Sequence, residues 1–313
     1  MLQLQSDNLL IKKTLTELIE SPTSVDRIVS DFDYTTYHLS TPENKTKLLL
    51  SIGTKSWKDL DKYDVVGKLN AIYGQFQTDT VEPGYNYSIY LDLEEIATKS
   101  QDEQFEIIES LSLLKRNALA APFESALEQY EKLNAEYQET GIEPSSNNSS
   151  IIEINYRDEE SIYIKSSFDR VTVIFSTIFK DETDKIFGKV FLQEFVDARK
   201  RAVQNAPQVL YSHKEPPLEI RDLIKFSPNE QKGYVTFVLF PRHLVPQKKY
   251  NTISHIQLFR NYFHYHIKCS KAYMHSRMRF RVNQYLKVLN RAKPENEETV
   301  ERKTATGRRF LER

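Results

Sequence analysis

Two periods of hydrophobic and polar alternation divide this chain. Leu10, Ile11, Leu15, Leu18 and Ile19 recur at helical spacing and predict an amphipathic first helix. Strand-like runs follow at Val25–Asp31, Tyr34–Ser40 and Lys47–Thr54, separated by the breakers Asp33 and Pro42. Helical spacing returns over Trp57–Ala71, then strand-like runs over Tyr73–Thr78 and Tyr85–Leu93. A long helical segment covers about Gln101–Gln138, in which Pro122 predicts a kink or interruption. The polar stretch Gly141–Ser150, GIEPSSNNSS, marks a flexible junction. Beyond it come strands at Ile151–Tyr156, Ser161–Lys165 and Val171–Phe179, a helix over about Asp184–Val203, strands at Gln208–His213 and Tyr234–Phe240, and a last helix from about Tyr250.

Both halves therefore read strand, strand, strand, helix, strand, strand, helix, which predicts two copies of one α/β unit. Hairpins followed by single helices suit mostly antiparallel sheets with helices on one face, an α+β architecture, rather than a doubly wound parallel sheet. The expected divisions are a first domain at 1–122, a helix and flexible junction at 123–150, a second domain at 151–249, and a long basic helix with a polar tail at 250–313.

From Tyr250 to Lys293 there is no Gly or Pro. Helical throughout, this segment would span about 66 Å at ~1.5 Å per residue, against a domain roughly 35 Å across. Ile253, Ile256, Phe259, Phe263, Ile267, Met274, Met278, Val282, Tyr285 and Leu289 fall on one continuous face. The first half of that stripe can cover the second sheet. The second half lies beyond its own domain, and burying five large side chains there would contribute about 1.5–3 kcal/mol each, so a partner protein with a helix of its own is the expected cover.

Charge sharpens this picture. Residues 1–230 hold 25 basic and 39 acidic side chains, whereas 231–294 hold thirteen Lys or Arg, five His and no acidic residue at all. Lys268, Lys271, Arg277, Arg279, Arg281, Lys287, Arg291 and Lys293 decorate the helix with no carboxylate inside it. Such a segment attracts an acidic macromolecular surface, whether protein, membrane or nucleic acid. With 39% apolar and 28% charged residues, disorder over the whole 313-residue length is excluded. One cysteine, Cys269, precludes an intramolecular disulfide and is expected simply to pack; the chain reads as soluble and cytoplasmic, without a bilayer-spanning run.

Chemistry is harder to find. Asp31-Phe32-Asp33-Tyr34-Thr35 fits the D-x-D-x-T pattern in which one carboxylate attacks phosphorus and a second handles the leaving-group proton with magnesium. Between strands that read as a hairpin, a turn explains both aspartates. His264 and His266 lie about 200° apart on a helix and cannot chelate one metal. Arg157-Asp158-Glu159-Glu160 reads as a solvated turn, and Lys180-Asp181-Glu182-Thr183-Asp184 as a loop entering a helix whose acids suit its dipole. No phosphate-cradling glycine pattern occurs, so no enzymatic function, cofactor or metal is expected.

The strings SDFDYTTYHLS (30–40), LLKRNALAAPFE (113–124), DRVTVIFSTIFKDETD (169–184), KVFLQEF (189–195), APQVLYSHKEPPLEI (206–220), GYVTFVLFPRH (233–243), YFHYHIKCSKAYMHSRMR (262–279) and YLKVLNRAKP (285–294) are long and unusual. They resemble the subunit 2 family of the actin-related protein 2/3 complex. The resemblance implies a non-catalytic scaffold subunit of a seven-protein machine that nucleates branched actin filaments, in the cytoplasm at cortical actin patches. It also implies two similar α/β domains and a long C-terminal helix paired with subunit 4, the pair contacting both actin-related subunits and the side of the mother filament. By that similarity Phe263, Ile267, Met274 and Met278 face the packing partners of the helix; Arg277, Arg279, Lys287, Arg291 and Lys293, which the motif does not assign one by one, are the candidates for filament contact. The alternatives are a membrane or nucleic-acid binder using the basic helix, and a phosphatase of the aspartyl-phosphate type. The chain departs from the animal-like pattern at Gly141–Ser150 and Arg221–Gln231.

Overall fold

The computed structural model describes residues 4–78, 80–144, 150–224 and 232–292. Half of the junction expected at Gly141–Ser150, most of the segment Arg221–Gln231, and Lys293 lie outside these described residues. The chain divides into two compact units, Met1–Ile267 and Lys268–Arg313.

The first unit opens with α1 (Leu9–Glu20), whose exposed first-turn amides are met by Asn8: its side chain accepts from Leu10 and Ile11 N–H. Strands β1 (Asp26–Asp31), β2 (Thr35–Ser40), β3 (Lys47–Thr54) and β4 (Tyr87–Asp92) form an antiparallel sheet in that order. Short helices α2 (Trp57–Asp61) and α3 (Val65–Tyr73) lie between β3 and β4, and α4 (Leu93–Ala97), α5 (Gln101–Ser112) and α6 (Leu114–Thr140) follow. The second sheet is antiparallel as well, with order β5 (Ile152–Asn155), β6 (Ser161–Ser166), β7 (Val171–Ile178), β9 (Lys232–Leu239), β8 (Gln208–His213). Helix α7 (Glu182–Arg201) connects β7 to β8, and α8 (Pro246–Ala292) follows β9. This is the α+β arrangement of two antiparallel sheets and a long last helix that the periodicity predicts.

Two local expectations are corrected. Tyr73–Thr78 is not a strand: Val65, Leu69 and Tyr73, four apart, all bury one face of α3, and a single 3-10 turn (Gly74–Phe76) follows. The Tyr73 hydroxyl donates to the Ser110 carbonyl at 2.6 Å, which fixes the residue to α5. Only Gln77 still pairs, through an isolated antiparallel bridge to Ile89 of β4. Since β8 likewise flanks β9, that bridge occupies in the first sheet the place of a whole strand in the second. The helical segment 101–138 is interrupted, but not by proline. Pro122 is buried inside α6, and the break comes at Leu113, whose N–H closes a tight turn on Ser110. Around Pro122 the small residues Ala118, Ala120, Ala121 and Ala126 are all buried, so close packing offsets the one amide bond a proline removes. The C-terminal stop of α6 is Gly141, left-handed at φ 65°.

One hydrophobic cluster joins residues of both sheets and the helices over them, from Ile11 and Leu50 to Phe175 and Ile267. Strand β7 is buried at every position from Val171 to Thr177. On one face Phe175 meets Phe237 and Phe259; on the other, Ile174 packs with Tyr163, Tyr234 and Ile220.

A candidate interface helix and its charged anchor

Within the first unit, α8 is seated by aromatic packing and by a buried set of charges. Ile253, Ile256, Phe263 and Ile267, at helical spacing, are buried, and the ring of Phe263 lies within 6.0 Å of those of Phe179, Phe191 and Phe259. Between these apolar positions α8 presents Arg260, Asn261 and His264, and each meets a partner on another element. Arg260 Nε donates to Glu160 Oε2 at 2.7 Å. Asn261 Nδ2 donates to Asp33 Oδ2 at 3.2 Å, and Arg157 donates to the Asn261 side-chain oxygen at 3.4 Å. The Thr177 hydroxyl donates to Glu160 Oε1 at 3.1 Å and lies 2.9 Å from His264 Nε2.

Asp33 is the other centre of this network. Arg157 reaches it through both Nε and Nη2, each at 2.9 Å from Oδ1, and Lys115 Nζ sits 3.6 Å from Oδ2 while donating to the Phe32 carbonyl at 2.8 Å. The turn that aims Asp33 inward has an unusual backbone: Asp33 and Tyr34 are both left-handed, at φ 64° and 53°. Asp tolerates that region; Tyr does so at a cost of about 1–2 kcal/mol. The Tyr34 hydroxyl donates to Asp158 at 2.9 Å, and the buried charges hold the neighbouring residue. Lys115 also lies 3.7 Å from Asp31 Oδ2, so the fold brings 31–33, 115, 157–160 and 260–261, four stretches far apart in the chain, into one junction between the first sheet, α6, the second sheet and α8.

This geometry agrees with two expectations, the turn at Asp31–Thr35 and the loop before α7, and corrects one. Asp33 is not a free carboxylate: both its oxygens are engaged by Arg157 and Asn261, so the D-x-D-x-T resemblance does not describe a nucleophile and its acid partner. The hairpin turn between β1 and β2, with Asp31 paired to Thr35, accounts for it. Arg157-Asp158-Glu159-Glu160 is not merely a solvated turn, because Glu160 is only 4% exposed. Burial pushes the Glu160 carboxyl up, but the Arg260 bond and charge and the Ile178 N–H outweigh it and hold the group below its ordinary range. The loop before α7 behaves as expected, with the Asp181 side chain accepting from Thr183 N–H and Glu182 and Asp184 in the first turn.

From Lys268 onward the side chains change environment. Every residue of 268–292 is exposed except the half-buried Lys271. Cys269, expected to pack, is exposed. The four candidates for partner packing separate accordingly: Phe263 and Ile267 are 1% and 2% exposed and take their neighbours from this chain, whereas Met274 and Met278 are 49% and 61% exposed. Val282, Tyr285 and Leu289 are exposed too. At 100° per residue these five fall within an arc of about 80°, and Arg277, Arg281, Lys287 and Arg291 lie on the remaining circumference. Arg277, Arg279, Lys287 and Arg291 are all exposed, and Arg277 bonds the Tyr273 hydroxyl at 3.1 Å. His264 and His266 stack on Phe179 and Phe191 respectively. Among the described residues no helix is long and apolar enough to cross a membrane.

The carboxylates of Asp33 and Glu160 are held in ion pairs, and the long helix that follows the two antiparallel sheets carries no acidic residue. The sequence matches the family described as the 34 kD subunit of the Arp2/3 complex, p34-Arc, over residues 50–296, and the chain belongs to that family. It is 50% identical to the actin-related protein 2/3 complex subunit 2 of Schizosaccharomyces pombe over 324 aligned positions covering 99% of each chain. It is 38% identical to the protein of the same name from Dictyostelium discoideum over 311 positions, again covering 99% of both.

Two outcomes test the anchor. Asp33→Ala strands the Arg157 and Lys115 charges in a largely buried site and is expected to cost about 3–5 kcal/mol, read as a lowered denaturant midpoint. The second concerns acid. A carboxyl whose folded pKa is depressed contributes stability above its ordinary range and loses it as pH falls through the folded value. The wild-type midpoint should therefore drop on acidification, while Glu160→Gln, weaker at neutral pH, should show a flatter acid limb in the same titration.

Proposed function

We propose that this chain is a scaffold subunit of the actin-nucleating complex that builds branched filaments. Its family membership supports the complex, and the observation that carries the mode of action is the exposed apolar stripe Met274, Met278, Val282, Tyr285 and Leu289 on a carboxylate-free helix. Leaving such a stripe in water forfeits about 1.5–3 kcal/mol per large side chain relative to burial. In this reading subunit 4 supplies the cover with a helix of its own. Phe263 and Ile267 serve that interface indirectly, by seating the preceding turns of α8 on the second sheet. The pair contacts the two actin-related subunits, and Arg277, Arg279, Lys287 and Arg291, with Lys293 beyond the described residues, face the acidic side of the mother filament. The work takes place in the actin cytoskeleton, at cortical patches, with the two sheets acting as the 1–122 and 151–249 domains joined through 123–150.

Each half of the proposal has its own test. Met274→Asp combined with Met278→Asp is expected to abolish copurification with coexpressed subunit 4 while leaving the chain folded, since both side chains are exposed in it. Full recovery of the heterodimer from that variant would overturn the assignment of the stripe. Glu at Arg277, Arg279, Lys287 and Arg291 together is expected to spare assembly and to weaken cosedimentation of the assembled complex with actin filaments. Exposed pairs contribute about 0.2–1 kcal/mol each, so the four predict a loss on the order of tenfold or more, steeper at low salt.

A further inference from the structure

His38 of β2 lies between two carboxylates that arrive from different elements. Its Nε2 is 2.9 Å from Asp26 Oδ1 on the edge strand β1, and its Nδ1 is 2.6 Å from Glu82 Oε1 in the loop before β4. The ring stacks on Tyr85 of the same loop, with centroids 5.7 Å apart and planes at 13°. The neighbouring strands face it with neutral groups: Ser51 of β3 stands opposite His38 in register, and Ser88 of β4 bonds both Ser51 and the Glu82 N–H. A neutral imidazole has one N–H and can satisfy only one of the two carboxylates; the imidazolium donates to both.

The two carboxylates are unequal. The Asp26 side chain is 87% exposed, whereas that of Glu82 is 19% exposed and its second oxygen is buried without a hydrogen-bond partner. When the ring loses a proton, Asp26 can exchange its bond for water and Glu82 cannot do so without moving. The retained proton therefore belongs on Nδ1, and the lone pair of Nε2 is left facing Asp26. The charge of the trio changes from −1 to −2 in the same step, which adds repulsion between the carboxylates.

We propose that His38 is a proton-operated tie between the start of the edge strand β1 and the loop before β4, closed while the ring is charged and released on the Asp26 side when it is neutral. Burial lowers the pKa of the ring, but the hydrogen bonds and charges of Asp26 and Glu82 more than reverse this and hold it above 6.5. A group whose folded pKa is raised contributes stability that is complete below its unfolded value and lost as pH rises through the folded one. The tie thus tightens in acid and loosens on the alkaline side of 6.5, across the neutral range where an unperturbed histidine is already mostly uncharged.

The test uses the full-length chain with nitrogen-15-labelled histidine, and the hydrogen exchange of β1 corrected for the intrinsic pH dependence of exchange. His38 is expected to titrate above 6.5 and, once neutral, to carry its proton on Nδ1. Protection of β1 relative to β2 should fall with the same midpoint. Asp26→Asn should shift the His38 pKa downward and flatten the pH dependence of β1 protection; His38→Gln should abolish that dependence. Because Asp26 is exposed, its variant tests the tie even where His38→Gln fails to fold. A His38 pKa at or below 6.5, an Nε2–H neutral ring, or β1 protection with the same pH course in wild type and Asp26→Asn would overturn the proposal.

Discussion

The ion-paired junction around Asp33 and Glu160 is the constraint to which the first unit is built. Apolar burial supplies most of the energy that seats α8, since Ile253, Ile256, Phe263 and Ile267 all leave water. Hydrophobic contact is non-directional, however, and a helix can slide or rotate on an aromatic floor for little cost. Arg260 on Glu160 and Asn261 on Asp33 remove that freedom, because a displaced α8 would leave buried charges unpaired. The same carboxylates hold Arg157 and Lys115, so the β1–β2 turn, α6 and the second sheet are tied at the point where α8 is held. The left-handed pair Asp33–Tyr34 is the local conformational cost of aiming one carboxylate into that junction.

Helix α8 carries two kinds of surface in one continuous element. Up to Ile267 its apolar positions are satisfied by the second sheet and α7; from Lys268 the same spacing continues with side chains that remain exposed. Large exposed apolar patches commonly mark interaction sites. Membership in the p34-Arc family makes an assembly the natural setting for such a patch. In the reading proposed above, the carboxylate-free α8 suits an acidic neighbour.

The two sheets are similar and not equal. Gln77 makes a single bridge to Ile89 of β4 in the first sheet, whereas in the second β8 pairs with β9 from Gly233 to Val238. Just before that bridge, α3 and the 3-10 turn bring Tyr73 onto Ser110.

Sequence by itself determined most of the element types, the antiparallel α+β class and the overlong basic helix, because period and charge are local properties that survive without coordinates. Its unusual strings also pointed to the family. Local signals misread Tyr73–Thr78, where alternation in Tyr-Gly-Gln-Phe gave way to the helical burial of Val65, Leu69 and Tyr73, and they placed the α5–α6 break at Pro122, where tight packing of alanines lets the helix run on. Only the tertiary structure decided which half of the stripe is already satisfied, since Phe263 and Met274 have the same local spacing and differ solely in what stands opposite. It alone joined Asp33, Arg157, Glu160 and Asn261, and His38 with Asp26 and Glu82, because a charge pair between distant residues leaves no periodic trace along a chain.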